Sequence, residues 1–513
     1  MEANDYKTLG NSCFVNKEYA KAIEFYGKGL RICKKEDSIN LFANRAVCYI
    51  KLDCFQKALN DTIAVLEQDP LHEKGIFRHV KCLWGLGRYE SALTFINSKL
   101  AKNPQLFSSK ELLDLRRNTE ACFHQSKTGQ YDILELMRHQ QEKPLEPLEN
   151  VAEYVGPIKI RDVPGKGRGI LAEEDIKTGQ LIMCCKPFAF YPYSDEEMGS
   201  RSNFALVDCI LEKLSIEPQF RKEVFPLHTP LPTDLCLEMS QEDLELAQLH
   251  AIIANNSFEF NGSGGLLHSN HTYFWSGLWI LPSYINHSCS GSNCTWSVYG
   301  DTFFVRAVRP INKGDEILIS YVNITWPYKH RLSVIRDHKF ECDCDLCQYE
   351  EGEDEDTVEE REQIFDQLEE IYDMDGLMPK QTIIDCFNKL DSLRNDSPHL
   401  NFPLANVKVI RVLQRFLVER DTTASTTQVR IMFERIHSVT KNTAHAKFVV
   451  SLCLNVLNCL MEDATSETGT IQGWIKQLKN DLIAAHGSPK ALLYVGPDML
   501  ELLKDMLHAN DFL

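Results

Sequence analysis

The 513-residue chain predicts a multidomain α+β protein: an N-terminal array of helical repeats, a β-rich centre interrupted by a helical insertion, and a helical C-terminal third. Three segments near the N-terminus repeat every 34 to 36 residues. From Tyr154 onward, short β-type runs alternate with glycine-containing turns, and beyond residue 362 the apolar residues return to helical spacing. A single hydrophobic core stops growing near ~250–300 residues, so roughly two to four domains are expected.

Apolar residues make up 43% of the chain and charged residues 25%, the balance of a globular protein. The formal charge of −18 argues against a general nucleic-acid ligand, whose affinity comes mainly from Lys and Arg against phosphate. No direct nucleic-acid binding is expected. The opening MEANDYKTLGNS lacks the apolar stretch of a secretory signal, and no run of about 18 uncharged apolar residues predicts a membrane span. The expected location is cytoplasmic, with a nuclear pool also open and no membrane partner. Thiols stay reduced there, so most of the 18 cysteines read as small buried hydrophobes. Clusters with metal spacing are the exceptions.

The repeats are LGNSCFVNKEYAKAIEFYGKGL, ANRAVCYIKLDCFQKALNDTIAVLEQDP and RHVKCLWGLGRYESALTFINSKLAKNP. Ala22, Ala58 and Ala92 are equivalent, 36 and then 34 residues apart, and Pro70 and Pro104 close the second and third units. The period and pattern resemble the tetratricopeptide (TPR) repeat, a helix-turn-helix unit whose apolar face is buried only by stacking. Residues 1–138 are assigned to this array, with a helical bridge over 109–138. The resemblance extends to the groove. Chaperone-binding repeats of this type hold a peptide carboxylate with Lys, Asn, Asn, Lys and Arg, and the matching positions are Lys7, Asn11, Asn44, Lys74 and Arg78. Their plain alternative is a polar helix surface. The implied ligand is the Glu-Glu-Val-Asp tail of cytosolic heat-shock chaperones. Residues 139–153, with two prolines, read as a linker.

Four motifs follow in order: PGKGRGI, NHSC, VRPINKGDEILISYV and FECDCDLC. The last supplies Cys342, Cys344 and Cys347, one thiol short of a tetrahedral zinc site. Singly, each motif could be an ordinary hairpin or turn. Together they resemble a SET-domain protein-lysine methyltransferase, with residues 154–341 as the SET domain and 342–348 as a post-SET zinc segment. The resemblance implies S-adenosyl-L-methionine and Zn2+ as cofactors and a protein lysine as substrate. It implies Cys289 of NHSC as the fourth ligand, the alternative being a buried thiol. It implies cofactor contacts from Lys166, Gly167, Arg168, Asn286, His287 and Phe340, with Asn256 or its neighbour Asn255 alongside. Tyr321 corresponds to the catalytic tyrosine, whose hydroxyl orients amine and methyl; the alternative is a core tyrosine. Cys294 reads as structural and Glu316 as support for the fold.

The FECDC ending and the helical insertion at about 195–255 most resemble the SMYD branch. That branch carries a MYND zinc finger, but the interval from Tyr191 to His250 contains only Cys209 and Cys236, too few for one. SGSN replaces the usual proline turn after NHSC, and His338 stands where the branch has a tyrosine lining the lysine channel. Residues 349–362, rich in Glu and Asp, read as a mobile linker or a solvated helix start. Residues 363–513 resemble the branch's helical C-terminal domain. The leading expectation is a methyltransferase recruited to a chaperone by its repeats; the alternative is a catalytically silent SET scaffold acting as a chaperone adaptor.

Overall fold

The computed structural model describes residues 2–35, 38–103, 105, 109–193, 200–228, 240–262, 273–374, 379–418, 423–443, 445–462 and 468–495. Pro104, Cys236 and the last helical run beyond 495 lie outside these residues. No described helix is long and apolar enough to cross a membrane.

The repeats form three helix pairs: Ala3–Val15 with Tyr19–Ile32, Ser38–Lys51 with Phe55–Gln68, and Glu73–Gly85 with Tyr89–Lys102. Ala22, Ala58 and Ala92 are fully buried, because only a methyl fits where paired helices cross. Gly10 shows the same constraint. A Cβ there would lie 2.5 Å from the Tyr26 ring, which fills the space between the first two helices. The helix Lys110–Thr128 covers the open end of the array and stops at left-handed Gly129 (φ 64°). Asp132 then caps the next helix, Ile133–Glu142, accepting from the amides of Leu134 and Glu135.

The domain edge expected at residue 138 falls inside that helix. Its Ile133, Leu136 and Met137 pack into the same core as Phe304, so the helix belongs with the β-rich centre. The proline-containing segment behind it is not a free linker. The Leu148 amide donates to Asp301 Oδ1 at 3.0 Å and the Ala152 amide to Gln125 Oε1 at 2.9 Å, which anchors its C-terminal part to both the β-rich centre and the repeats.

Eleven strands are described: β1 (Tyr154–Val155), β2 (Ile158–Val163), β3 (Gly167–Ala172), β4 (Leu181–Cys185), β5 (Ala189–Tyr193), β6 (Phe258–Gly262), β7 (Tyr273–Leu278), β8 (Asn286–His287), β9 (Cys294–Tyr299), β10 (Thr302–Ala307) and β11 (Leu318–Ile319). They make a four-stranded sheet in the order β1-β4-β10-β9, a β2-β3 hairpin, a three-stranded sheet β5-β7-β6, and a short pair β8-β11. The β8-β11 pair is parallel, so NHSC runs alongside LISY. The insertion supplies the helices Ser200–Ile216 and Gln241–Asn256, whose apolar faces meet around Ile210, Leu249 and Leu278.

The acidic run after the cysteine segment starts a helix, one of its two expected forms, but part of it is not solvated. Asp354 caps a helix, Glu355–Asp373, and the carboxylates of Glu350 and Glu353 are buried rather than solvated. Glu350 meets Arg331 and, at 2.7 Å, Arg394; Glu353 meets Arg361 at 2.8 Å and Arg394 at 3.2 Å. A charge run marks solvent only where no opposite charges fold back on it. Here Arg331 and Arg394 come from other elements and Arg361 from the run's own helix. Removing one partner of a buried network leaves uncompensated charge. Glu350→Gln should therefore cost roughly 3 kcal/mol, read as a lower urea midpoint with the helical content of the folded state unchanged.

Candidate functional site

NHSC enters the centre of the fold from a short 3-10 turn, Pro282–Tyr284. Its register is set on both sides. The Ser288 amide donates to Ile319 O, and Asn293 clasps the returning strand, accepting from the Leu318 amide at 2.9 Å and donating to Glu316 O at 2.8 Å. The reshaped SGSN turn thus carries its own lock, Asn293.

The Cys289, Cys342, Cys344 and Cys347 sulfurs all lie within 4.8 Å of one another. Cys289 and Cys347 are 3.6 Å apart. Zinc–sulfur bonds of about 2.3 Å would place tetrahedral sulfurs about 3.8 Å apart, so the donor set and its spacing fit zinc. Hydrogen bonding from Cys289 lowers the Cys342 and Cys344 thiols, the latter to about 5. Cys294, by contrast, is fully buried on β9 and apart from the cluster.

His287 joins this cluster to Tyr321. The Tyr321 amide donates to His287 Nδ1 at 2.9 Å. The imidazole proton therefore sits on Nε2, which points at Cys289 Sγ at 3.1 Å. The Tyr321 hydroxyl donates to the Ile285 carbonyl at 2.6 Å, and burial pushes its pKa up. The rings of His287, His338 and Phe340 stand 5.1, 5.2 and 6.3 Å from that of Tyr321. Left-handed Lys339 (φ 61°) bends the chain between the last two rings. Burial, then His287 and His228, push the His338 pKa down.

The PGKGRGI turn sits beside Asn286. The Asn286 amide donates from Nδ2 to Glu316 Oε1 at 2.7 Å and to the Arg168 carbonyl at 3.3 Å. Glu316 Oε2 lies 3.3 Å from Lys166 Nζ. Glu316 thus holds two candidate residues at once, a role its sequence position did not disclose. Gly169 permits the approach, since a Cβ there would lie 2.6 Å from Glu316 Oε1 and 2.7 Å from Asn286 Nδ2. Gly167 is left-handed (φ 75°), and a Cβ there would meet open space. The Arg168 guanidinium lies over the Tyr284 ring at 4.9 Å and donates to the Pro226 carbonyl. Asn256 is buried at its helix end, its amide donating to the His228 and Ile252 carbonyls, both at 2.7 Å.

In the repeats, Asn11 Oδ1 accepts from Asn44 Nδ2 at 3.1 Å and from the Tyr26 hydroxyl at 2.8 Å. Arg78 donates to the Ala43 carbonyl at 2.8 Å. Asn11, Asn44 and Arg78 are thereby brought together. Lys7 lies one helical turn before Asn11, and Lys74 is exposed one turn before Arg78. Tyr26, buried beneath Asn11, supports it and lies outside the five-residue pattern; the equivalent positions of the other repeats are Thr62 and Ile96, so no shared aromatic signals it.

If the four sulfurs hold zinc, elemental analysis of protein prepared without chelator should find about one zinc per chain. Cys342→Ser should lose it, and protein isolated metal-free with a full complement of reduced thiols would overturn the assignment.

Residues 167–322 match the model of the SET domain. The chain is 24% identical over 413 residues to a protein of Gibberella zeae described as a methyltransferase, covering 73% of this chain and 55% of that one. It is 37% identical over 92 residues to the Hsp70/Hsp90 co-chaperone cns1 of Schizosaccharomyces pombe, covering 18% and 26% respectively. The chain thus spans about half the length of the first relative and a quarter of the second. Among solved structures, the Hsp90 co-chaperone Cns1 of Saccharomyces cerevisiae aligns at 25% identity over 28% of this chain and 45% of that one, with a TM-score of 0.23. The chain therefore carries a SET domain at residues 167–322 and an N-terminal region homologous to tetratricopeptide-repeat co-chaperones.

Proposed function

We propose that the protein transfers a methyl group from S-adenosyl-L-methionine to a lysine of another protein, histone or not, and that its repeats recruit it to the acidic C-terminal tails of cytosolic heat-shock chaperones. The observation that carries the first half is the link from Tyr321 through His287 to the four-cysteine cluster. It makes a buried tyrosine hydroxyl part of a rigid, metal-capable centre beside the Lys166–Arg168 turn.

The residues fit the donor. Gly167 supplies the left-handed backbone (φ 75°) of the turn beside Asn286, and Lys166, Gly167 and Arg168 would hold its amino-acid end. Asn286 has its amide nitrogen committed to Glu316, which leaves its oxygen to accept from a ligand ammonium. The Phe340 ring, 5.8 Å from His287, would lie against the adenine. When bound, the donor supplies an electrophilic sulfonium methyl. Tyr321 keeps its proton at neutral pH because burial raises its pKa, so it does not serve as the base. With that hydrogen donated to Ile285, its oxygen lone pairs are what it presents to the amine and the methyl. His338, with its ring 5.2 Å from that of Tyr321, would line the same channel and, being smaller than a tyrosine, leave it wider.

The silent-scaffold reading draws support from Asn256, whose amide already serves two backbone carbonyls. Calorimetry with the donor separates the two readings, since a scaffold would not bind it. A methylation assay with labelled donor on cell extract then tests turnover. Tyr321→Phe should keep the fold and donor affinity while cutting turnover by about a hundredfold, the usual effect of losing one transition-state contact. Unchanged turnover would remove Tyr321 from the mechanism. For the repeats, Lys74→Ala should weaken a peptide ending in Met-Glu-Glu-Val-Asp by about tenfold, with the C-terminal amide as the weak-binding control. We place the protein in the cytoplasm, where such tails occur; imaging of the tagged full chain checks this.

A further inference from the structure

The inner face of the repeats does not stand alone. It forms one wall of a cleft of about 1920 Å³ whose opposite wall is the SET domain, around Lys186, Phe188 and Phe190, and whose edge is the connecting segment 146–153. The wall facing them includes the helix Glu73–Gly85, on which Lys74, Arg78 and Lys81 follow at i, i+4 and i+7 and share one face.

Lys81 lies outside the five-residue pattern and is held in a specific way. Its ammonium sits 4.4 Å from the Trp84 ring centroid and 3.4 Å from Glu149 of the connecting segment. The two partners differ in freedom. The Lys81 side chain is 19% exposed, whereas that of Glu149 is 75% exposed. The cation is therefore fixed on an aromatic face, and its carboxylate partner stands at the water-facing edge, able to swing away. The backbone that carries Glu149 is tied down at Leu148 and Ala152, so the carboxylate is delivered to Lys81 whenever nothing else occupies that place. Burial lowers the Lys81 pKa, so a nearby anion has added value in holding it charged.

We infer that the cleft between the repeats and the SET domain is a single site for an acidic peptide, that Lys81 extends the Lys74–Arg78 stripe as a further carboxylate-binding residue, and that Glu149 is its intramolecular competitor. The inference rests on the recruitment reading and deepens it. An acidic side chain of the peptide, upstream of the terminal carboxylate, replaces Glu149 against Lys81, and the peptide then lies against the SET domain as well as the repeats. Recruitment and the SET domain thereby share one surface.

The test uses the full chain and a fluorescent peptide ending in Met-Glu-Glu-Val-Asp, followed by anisotropy. Glu149→Gln should tighten binding by about fivefold, the size of a partly exposed ion pair. Lys81→Met, which keeps the apolar stem against Trp84, should weaken it by about fivefold. In the double variant the Glu149→Gln gain should vanish, because the competitor acts only through Lys81. If Lys81→Met shifts the unfolding midpoint, Glu149→Gln decides alone, since its exposed side chain carries no packing. Binding by the Glu149→Gln variant where wild type shows none would be the strongest support. Equal binding by wild type and Glu149→Gln overturns this inference and leaves recruitment standing. Absence of binding by both, or equal binding of acid and amide peptides, overturns recruitment and this inference together.

Discussion

The hydrogen bond from His287 to the Cys289 sulfur is the joint on which the centre of this protein depends. One end of the imidazole receives the Tyr321 amide and the other reaches the sulfur, 2.9 and 3.1 Å away. Neither contact could be made if the ring turned over, because each fixes the proton that the other requires. The orientation of Tyr321, the path of NHSC and the closure of the cysteine segment are consequently one structural event. A bound metal would strengthen it by making Cys289 a thiolate, a better acceptor for the imidazole N–H.

The far side of the cysteine segment is held by different physics. Arg331 and Glu350 flank the three-cysteine segment in sequence, and Glu350 passes on to Arg394, then Glu353 and Arg361, all at 5% exposure or less in their side chains. Buried ion pairs add little net stability over an apolar core, since desolvation offsets most of their attraction. What they supply here is arrangement. An arginine fork accepts few geometries, so the network fixes how the C-terminal helices sit against the segment that ends the SET domain. The shared apolar core, running from Ile133 through Phe304 to Leu482, supplies the stability.

How far the sequence disclosed this varies with the range of the interaction. The repeat period, the three-thiol spacing and the helices of the insertion are local patterns, and all were legible. The convergence of Cys289 on its three partners was legible only through resemblance, because no spacing rule spans the 53 residues to Cys342. Glu316 and Gly169 were not legible as site residues. Their work, holding Asn286 and leaving room for it, exists only once two distant turns are brought together. The acidic run misled for the same reason, since Arg331 and Arg394 lie on other elements. Asn256 reads as a donor contact by position, yet its amide is engaged by its own helix end and by His228.

The insertion explains why the repeats and the SET domain face one another at all. It has too few cysteines for a zinc finger, and its helices build an apolar cluster of their own around Ile210 and Leu249. From that small core Lys213 reaches Asp53 at 2.6 Å, at the turn of the second repeat, where Asp53 itself adopts a left-handed conformation (φ 54°). In the opposite direction Lys57 of the repeats donates to the Ile216 carbonyl at the end of the insertion's first helix. The two contacts cross the same boundary with donors from opposite sides, so neither domain can rotate without breaking one of them. A surface ion pair alone is a weak tether. Lys213, however, also donates to the Phe188 carbonyl and lies 5.3 Å from the Phe188 ring centroid, which places the tether on the turn between β4 and β5 that lines the cleft. The helical insertion thus joins the connecting segment in holding the repeats against the SET domain across the cleft.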